Sequence, residues 1–378
     1  MKLTISQNSS MTFAIDCRYI LDPANGQFGG ISEYTDGVVR ALLKLKTNNE
    51  FVLFFSEKYP EEKIKEFASR ATVVRVPVGR GNFFFNHFSF PRLVRSYRPD
   101  IFFAPHGQLP LGWRGKAVIT VHDLAIYDHP EWFPGGFSRW FSTKIVVPRS
   151  LRRAEKIISV SEVTKKDLIR LFNIPIEKIS VVYPAAAIND FLQDRSDRPY
   201  LEETVFAPYF LCLGTIEPRK NFILAARAMK IFHQKFSDYK LLVVGKRGWK
   251  FEETINEFAG ADFIKEVGYV SPEEKFSLLA GARALIFPSL YEGFGLPPLE
   301  AMAIGVPVIT TRVGSLFEVC EEAARYVSTD NPAGLARAME EMVDEKARQS
   351  YIEKGLEQAK LFSWQKTAEE ILKIFYSV

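Results

Sequence analysis

The stretch ALIFPSLYEGFGLPPLEAMAIGVPVIT, Ala284 to Thr310, decides the fold. ALIFPS reads as a short buried strand, LYEGFGL as a loop with two glycines, PPLEAMAIG as a short helix, and VPVIT as the next strand. Proline suits the first helical position, and Gly305 suits the cap beyond the last turn. Such strand, helix, strand grammar is that of a parallel sheet covered by helices on both faces.

The same alternation runs outward in both directions. Towards the N-terminus, TFAIDCRYI, FVLFFS, TVVRVPV, IFFAP, AVITVHD, KIISVS and ISVVYPA read as strands separated by amphipathic runs. The second half repeats the pattern with YFLCLGT, YKLLVVG, FIKEVGYV, ALIFPS and VPVIT. At 378 residues the chain is too long for one ordinary core, so two doubly wound α/β domains of roughly 150 to 200 residues each are expected. The polar, weakly periodic stretch from Ala185 to Thr204 reads as the linker, placing the domains at 1–187 and 188–362. The last stretch has Ser363 as a helix N-cap and an apolar face of Trp364, Ala368, Ile371, Leu372 and Phe375, which needs a partner surface.

The formal charge of +4 argues against a dedicated nucleic-acid binder and leaves room for a local basic patch. Cys17, Cys212 and Cys320 lie far apart in apolar settings and read as buried free thiols of a reducing compartment. No run of eighteen apolar residues appears, and the N-terminus lacks the apolar centre of a signal peptide. The expectation is a cytoplasmic protein, with the inner face of the membrane as its place of peripheral contact.

Doubly wound sheets bind ligands at the carboxyl ends of their strands. In LYEGFGLPP the two prolines carry no amide donors, so an anion there has to be held by the amides of Gly293, Phe294, Gly295 and Leu296 with help from the helix dipole. Glu292 precedes that loop and Glu300 falls in the first helical turn, so the two carboxylates flank one pocket. Each is an acceptor pair suited to the vicinal hydroxyls of a sugar or ribose. The plainer alternative is a dipole-complementing Glu300 and a solvated Glu292.

In LCLGTIEPRKNF a strand ends at Gly214 and a helix is expected to begin near Arg219 or Lys220. The dipole disfavours cations at a helix start, so this pair implies an anion between them and reads as a phosphate clamp. VGYVSPEEKF ends a strand at Val270, whose backbone faces the pocket, and then caps a helix with Ser271 and Glu274. In the first half, Gly29 and Gly30 of GQFGGISEY admit a phosphate or sugar close to the backbone, without forming the spaced dinucleotide fingerprint. His122 and Asp123 stand at the end of the strand AVITV.

GTIEPRKN, TVHDLAIYDHP and the run from VGYVSPEEKF to GSLFEV resemble family 4 of the retaining glycosyltransferases, especially its mannosyltransferase-like members. The resemblance implies the GT-B architecture: two Rossmann-like domains facing across a cleft, with the C-terminal helix 363–378 crossing back to the first. It implies transfer of a hexose from a nucleoside diphosphate sugar, GDP-mannose favoured, with retention and with no metal or other cofactor. It implies Glu292 and His122 at the donor sugar, Glu300 at the ribose, Arg219 and Lys220 at the diphosphate, and the amides of Phe294, Gly295 and Leu296 beside it. Three residues depart from the pattern: Glu33 stands where a basic residue is frequent, Phe317 where proline is common and Ile304 where a smaller residue is usual.

The acceptor is expected to be a glycan or a lipid-linked oligosaccharide. Phe83, Phe84, Phe85, Phe88, Trp132, Trp140 and Phe141, with Arg139, Arg149, Arg152 and Arg153, form either part of the core or a patch that meets an anionic membrane. Competing readings are a non-hydrolysing nucleotide-sugar epimerase, a non-catalytic sugar-nucleotide sensor, a dehydrogenase, and a transferase using a UDP- or dTDP-sugar.

Overall fold

The computed structural model describes residues 10–22, 29–77, 83–186 and 208–378. Residues 187–204 of the expected linker, 26–28 of the glycine-rich loop and the N-terminal residues 1–9 lie outside the described residues.

Two all-parallel sheets form the molecule. The first contains β1 (Thr12–Asp16), β2 (Glu50–Ser56), β3 (Thr72–Val76), β4 (Ile101–Ala104), β5 (Ala117–Val121), β6 (Lys156–Ser159) and β7 (Ile179–Val181), in the spatial order β3-β2-β1-β4-β5-β6-β7. The second contains β8 (Tyr209–Leu213), β9 (Lys240–Val244), β10 (Ile264–Gly268), β11 (Leu285–Phe287), β12 (Val308–Thr311) and β13 (Ala324–Val327), in the order β10-β9-β8-β11-β12-β13. The strand order reverses direction between β1 and β4 in one sheet and between β8 and β11 in the other. Each such reversal opens a crevice at the carboxyl ends. Central strands such as IFFA and YFLCL are buried along their whole length, which is why they read as unbroken apolar runs.

The final helix, Trp364–Tyr376, is capped by Ser363, whose Oγ accepts from the Lys366 amide. Its apolar face packs on the first domain, with Phe375 against Phe13 and Phe103 at centroid distances of 4.9 and 5.3 Å. A Cβ on Gly37 would sit 2.5 Å from the Trp364 ring, so the first helix (Gly30–Lys44) is shaved at that position to admit it. Cys17, Cys212 and Cys320 are free and buried.

None of the seven aromatics in the two aromatic-basic stretches is fully buried. Phe84 and Trp140 are 64% and 51% exposed, and Phe137 beside them is 77% exposed. Trp132 ends the 3₁₀ turn Pro130–Trp132, and the others stand on two helical segments, each with a π-turn, Phe85–Ser89 and Ser142–Val146, just before a proline (Pro91 and Pro148) that cannot donate to the ladder. Among the described residues no helix is long and apolar enough to cross a membrane.

Candidate active site

A cavity of about 480 Å³ lies where the carboxyl ends of the two sheets face each other. The first domain contributes Gly29, Gly30, Glu33, Tyr34, His122 and Asp123 to its wall. From the second come Gly214, Arg219, Lys220, Val270, Glu292, the run from Gly293 to Leu296, and Glu300. The residues expected from the sequence at the donor therefore line one space.

The domains touch at its floor. Gly293 lies so close to the end of β5 that a Cβ there would be 1.8 Å from the His122 carbonyl oxygen and 2.8 Å from Asp123 Cβ. Around this point Tyr291 donates to Asp167 (2.6 Å), Glu318 accepts from the Glu162 amide (2.7 Å), and the Trp249 indole donates to the Trp132 carbonyl (2.6 Å).

Glu292 accepts three hydrogen bonds in the cavity wall. Its Oε1 accepts from Lys220 Nζ at 2.6 Å and from Ser289 Oγ at 2.7 Å, and its Oε2 accepts from Arg219 Nη1 at 3.0 Å. Burial alone would raise this carboxyl, but the charges of Arg219 and Lys220 and the bonds from Lys220 and Ser289 outweigh it and pull it down to about 2. Arg219 also donates through Nε and Nη2 to Glu217 Oε1, at 3.1 and 2.9 Å. Two cations thus face two carboxylates, and the cluster is neutral. Burial lowers the Lys220 ammonium, with Glu292 opposing and Arg219 reinforcing that shift.

Two sequence expectations are corrected here. The helix after β8 begins at Phe222, because Pro218–Lys220 forms a separate 3₁₀ turn and Asn221 turns left-handed (φ 53°) between them. The anion between the two cations is the protein's own Glu292. Glu300 is also deeper than expected: the helix runs Leu296–Ala303, so Glu300 is its fifth residue, 1% exposed, and not part of the first turn.

Glu300 Oε1 accepts from Lys275 Nζ at 2.6 Å, and Lys275 reaches Glu33 of the first domain at 3.5 Å. Burial and the neighbouring Glu33 push the Glu300 carboxyl well above the usual range, with Lys275 opposing. Glu33, which burial would also raise, is held below its range by Lys275 and by a hydrogen bond with Glu300.

His122 directs Nε2 at the Pro105 carbonyl, 2.7 Å away. A carbonyl only accepts, so this contact puts the proton on Nε2 and the lone pair on Nδ1. Burial lowers the imidazole against the opposing pull of Pro105 and Asp123, which keeps it neutral at pH 7. The Tyr34 ring meets it edge-on at 4.7 Å and is tied by its hydroxyl to Thr120 Oγ1 at 3.1 Å.

Two crossover sheets, a cavity at their facing carboxyl ends and a returning C-terminal helix define a GT-B glycosyltransferase. Residues 186–358 match the family model described as glycosyl transferases group 1, and residues 28–188 match that of glycosyltransferase family 4. The O-antigen chain mannosyltransferase B of Escherichia coli is 33% identical over 291 residues, 75% of each chain. The O-antigen chain mannosyltransferase RfbU of Salmonella typhimurium is 29% identical over 241 residues, covering 63% of this chain and 64% of that one. A serotype-specific mannosyltransferase WbdA of Escherichia coli is 28% identical over 273 residues, 68% of this chain and 33% of the longer relative. Among solved structures, a glycosyltransferase from Rickettsia africae superposes with a TM-score of 0.71 at 17% identity, covering 97% of this chain and 98% of the other. Anabaena HepE in complex with UDP and glucose gives 0.70 at 15% identity, covering 98% and 100%. The chain belongs to glycosyltransferase family 4, as a mannosyltransferase-like member.

Proposed function

We propose that this glycosyltransferase moves mannose from GDP-mannose onto a saccharide acceptor, with retention at the anomeric carbon and with no metal required. The observation that carries the mechanism is the state of Glu292. With three donors on its two oxygens and its carboxyl lowered to about 2, it is a stabilised anion at every working pH and a poor nucleophile, while its Oε2, holding a single donor, keeps an accepting position open. It suits a different task, accepting hydrogen bonds from sugar hydroxyls. Arg219 and Lys220 supply the positive charge a departing diphosphate needs, and the amides of Phe294, Gly295 and Leu296 add the helix start.

In this reading the bond from the anomeric carbon to the diphosphate oxygen breaks on the same face on which the acceptor oxygen bonds. The acceptor hydroxyl proton passes to the departing phosphate oxygen. His122, neutral and protonated on Nε2, offers Nδ1 as an acceptor to the sugar, and Glu300 takes the ribose. The mannosyl part is supported by the names of the relatives and the guanine part by the resemblance of the IEPRKN segment. The exposed Phe84, Phe137 and Trp140 beside Arg139, Arg149 and Arg152 support peripheral contact with an anionic membrane carrying a lipid-linked acceptor. Loss of liposome flotation in Phe137→Ser/Trp140→Ser checks that contact.

The deciding experiment is a thermal-shift panel of GDP, UDP, dTDP and ADP with and without EDTA, followed by the matching sugar nucleotides and the anomeric configuration of the product by NMR. A GDP-selective shift that survives EDTA and an axial product bond are expected. Stabilisation by UDP or dTDP in place of GDP, loss of the shift in EDTA, or an inverted product would each overturn the corresponding part.

A further inference from the structure

The loop after Glu292 is anchored by a single side chain. Of Gly293, Phe294 and Gly295 only the middle residue has one, and Gly295 turns left-handed (φ 112°). The run from Gly293 to Leu296 lines the cavity, whereas the Phe294 ring is buried. Two other rings enclose it: Phe362 meets it edge-on at 5.8 Å between centroids, and Tyr183 lies tilted against it at 6.2 Å. Phe362 and Tyr183 are in edge contact with each other at 5.7 Å, which closes a triangle.

The outer members of the triangle stand where the chain passes between the domains. Tyr183 follows β7, the last strand of the first sheet, and Phe362 precedes Ser363, the N-cap of the helix that returns to the first domain. The two crossings are tied together, because Thr367 of that helix donates through Oγ1 to the Tyr183 carbonyl at 2.6 Å. Glu318 of the second domain faces the Tyr183 hydroxyl and accepts from the Glu162 amide of the first. Neither Tyr183 nor Phe362 is part of the cavity wall.

The other holds on the loop are polar and lie within the second domain. Ser315 donates through Oγ to the carbonyls of Glu292 and Phe294, at 3.0 and 2.7 Å, and its amide donates to the Glu292 carbonyl at 3.1 Å. A rotation of one domain against the other is taken up at the chain crossings. It therefore moves Tyr183 and Phe362 against the Phe294 ring, and packed rings pass such a displacement on to the backbone that carries them.

We propose that Phe294 is a positioning residue through which the two aromatics at the chain crossings set the place of the loop amides of Phe294, Gly295 and Leu296, an inference that rests on the transferase reading above. The angle between the domains is thus read at the diphosphate through ring contacts, by residues that do not touch the nucleotide. Arg219 and Lys220 are outside the triangle and keep their places when it is disturbed, so the loss of affinity is confined to the amides.

The test is a double-mutant cycle on the full chain, with GDP and UDP as calorimetric probes and amide hydrogen exchange measured in parallel. Phe362→Leu is expected to weaken the tighter-binding nucleotide about threefold or more, and Phe362→Tyr, which keeps the ring, to stay within about 1.5-fold of wild type. In a Phe294→Leu background the further loss caused by Phe362→Leu should fall below about 1.5-fold. Phe375→Leu is the control for general damage, since it lies on the same helix but packs on Phe13 and Phe103, and it should leave affinity unchanged. Without nucleotide, the Leu299 and Ser315 amides, which bond the loop carbonyls of Gly295 and Glu292, should exchange at least about threefold faster in Phe362→Leu and not in Phe375→Leu. Unchanged affinity in Phe362→Leu, independent losses in the cycle, or an equal loss in Phe375→Leu would each overturn the proposal. Failure of wild type to bind either nucleotide, with exchange still following Phe362, would count against the donor assignment and leave the link from the chain crossings to the loop standing.

Discussion

Replacing Gly293 by alanine tests whether the two domains have to meet at the candidate site. The added Cβ would stand 1.8 Å from the His122 carbonyl oxygen, against an ordinary contact of 3.4 Å, so the backbones must part by about 1.6 Å. The obstacle is main chain at the end of a fully buried strand, and a rotamer change cannot relieve it. Overpacking of this kind costs about 1 to 3 kcal/mol, a tolerable loss for the fold. Its effect on chemistry is larger, because a misplacement of about 1 Å between reacting groups costs on the order of a hundredfold in rate. His122 and Asp123 belong to one domain and the Glu292–Arg219–Lys220 cluster to the other, so the separation falls between them. The expected result is a kcat at least about a hundredfold lower, with nucleotide affinity by calorimetry near wild type, since the clamp lies wholly within the second domain. A Gly293→Ala enzyme with wild-type kcat would refute the reasoning, and one that loses nucleotide affinity in step with kcat would show that the damage is not at the domain contact.

Further outcomes for three variants follow from the charge arrangement. Arg219→Ala should weaken nucleotide binding by about 1.5 to 3 kcal/mol, roughly ten- to a hundredfold in Kd by calorimetry. Glu292→Gln should lower kcat by about two to three orders of magnitude while nucleoside diphosphate still binds. The lowered carboxyl of Glu292 contributes stability that is present above pH 4.5 and lost as pH falls towards 2, on the order of 3 kcal/mol, so denaturant titrations of wild type and Glu292→Gln should converge across that window. Lys275→Ala leaves Glu33 and Glu300 facing each other without their cation and should cost about 2 to 3 kcal/mol at pH 7. Because protonation relieves that repulsion, this variant should gain stability relative to wild type as pH is lowered from 8 to 5, a trend that thermal melts across the range would detect or deny.

Twelve of the thirteen strands are legible in the sequence because each is a short, largely apolar run between turn residues, the inner ones buried along their length and the outer β3, β7 and β10 only in part. The exception, β13, is an edge strand with the sequence ARYV, three of its four residues only half-buried, and it carries no such run. Glu292, Arg219, Lys220 and Glu300 are legible because a strand followed by glycine, charge and a helix is a local pattern. Their pairing is not: Arg219 and Glu292 lie 73 residues apart, and the turn that brings them together depends on Asn221 adopting a left-handed conformation. Glu217 is hidden for the same reason, although it stands in the quoted segment two residues before the arginine it binds. The Glu33–Lys275–Glu300 contact spans 242 residues, and its one local trace is the acidic residue at position 33 where the family pattern favours a basic one.

The pairing of charges in the cavity wall also explains why the glutamate and the cations occur together. Arg219 and Lys220 are balanced by Glu217 and Glu292, so a diphosphate cannot be added without displacing hydrogen bonds already made. On the roles proposed above, an entering diphosphate competes with Glu292 for the same N–H donors, and a buried carboxylate stripped of its partners costs several kcal/mol. A nucleoside diphosphate alone brings nothing to replace them. A nucleotide sugar does, because its hydroxyls donate to Glu292 while its phosphates take Arg219 and Lys220. The complete donor thus satisfies both sides of the cluster, whereas the nucleotide left after transfer satisfies one and leaves Glu292 pressing against it. Hydrogen bonding that is complete within the cluster itself and complete again with donor is incomplete only with product, which favours release after each transfer.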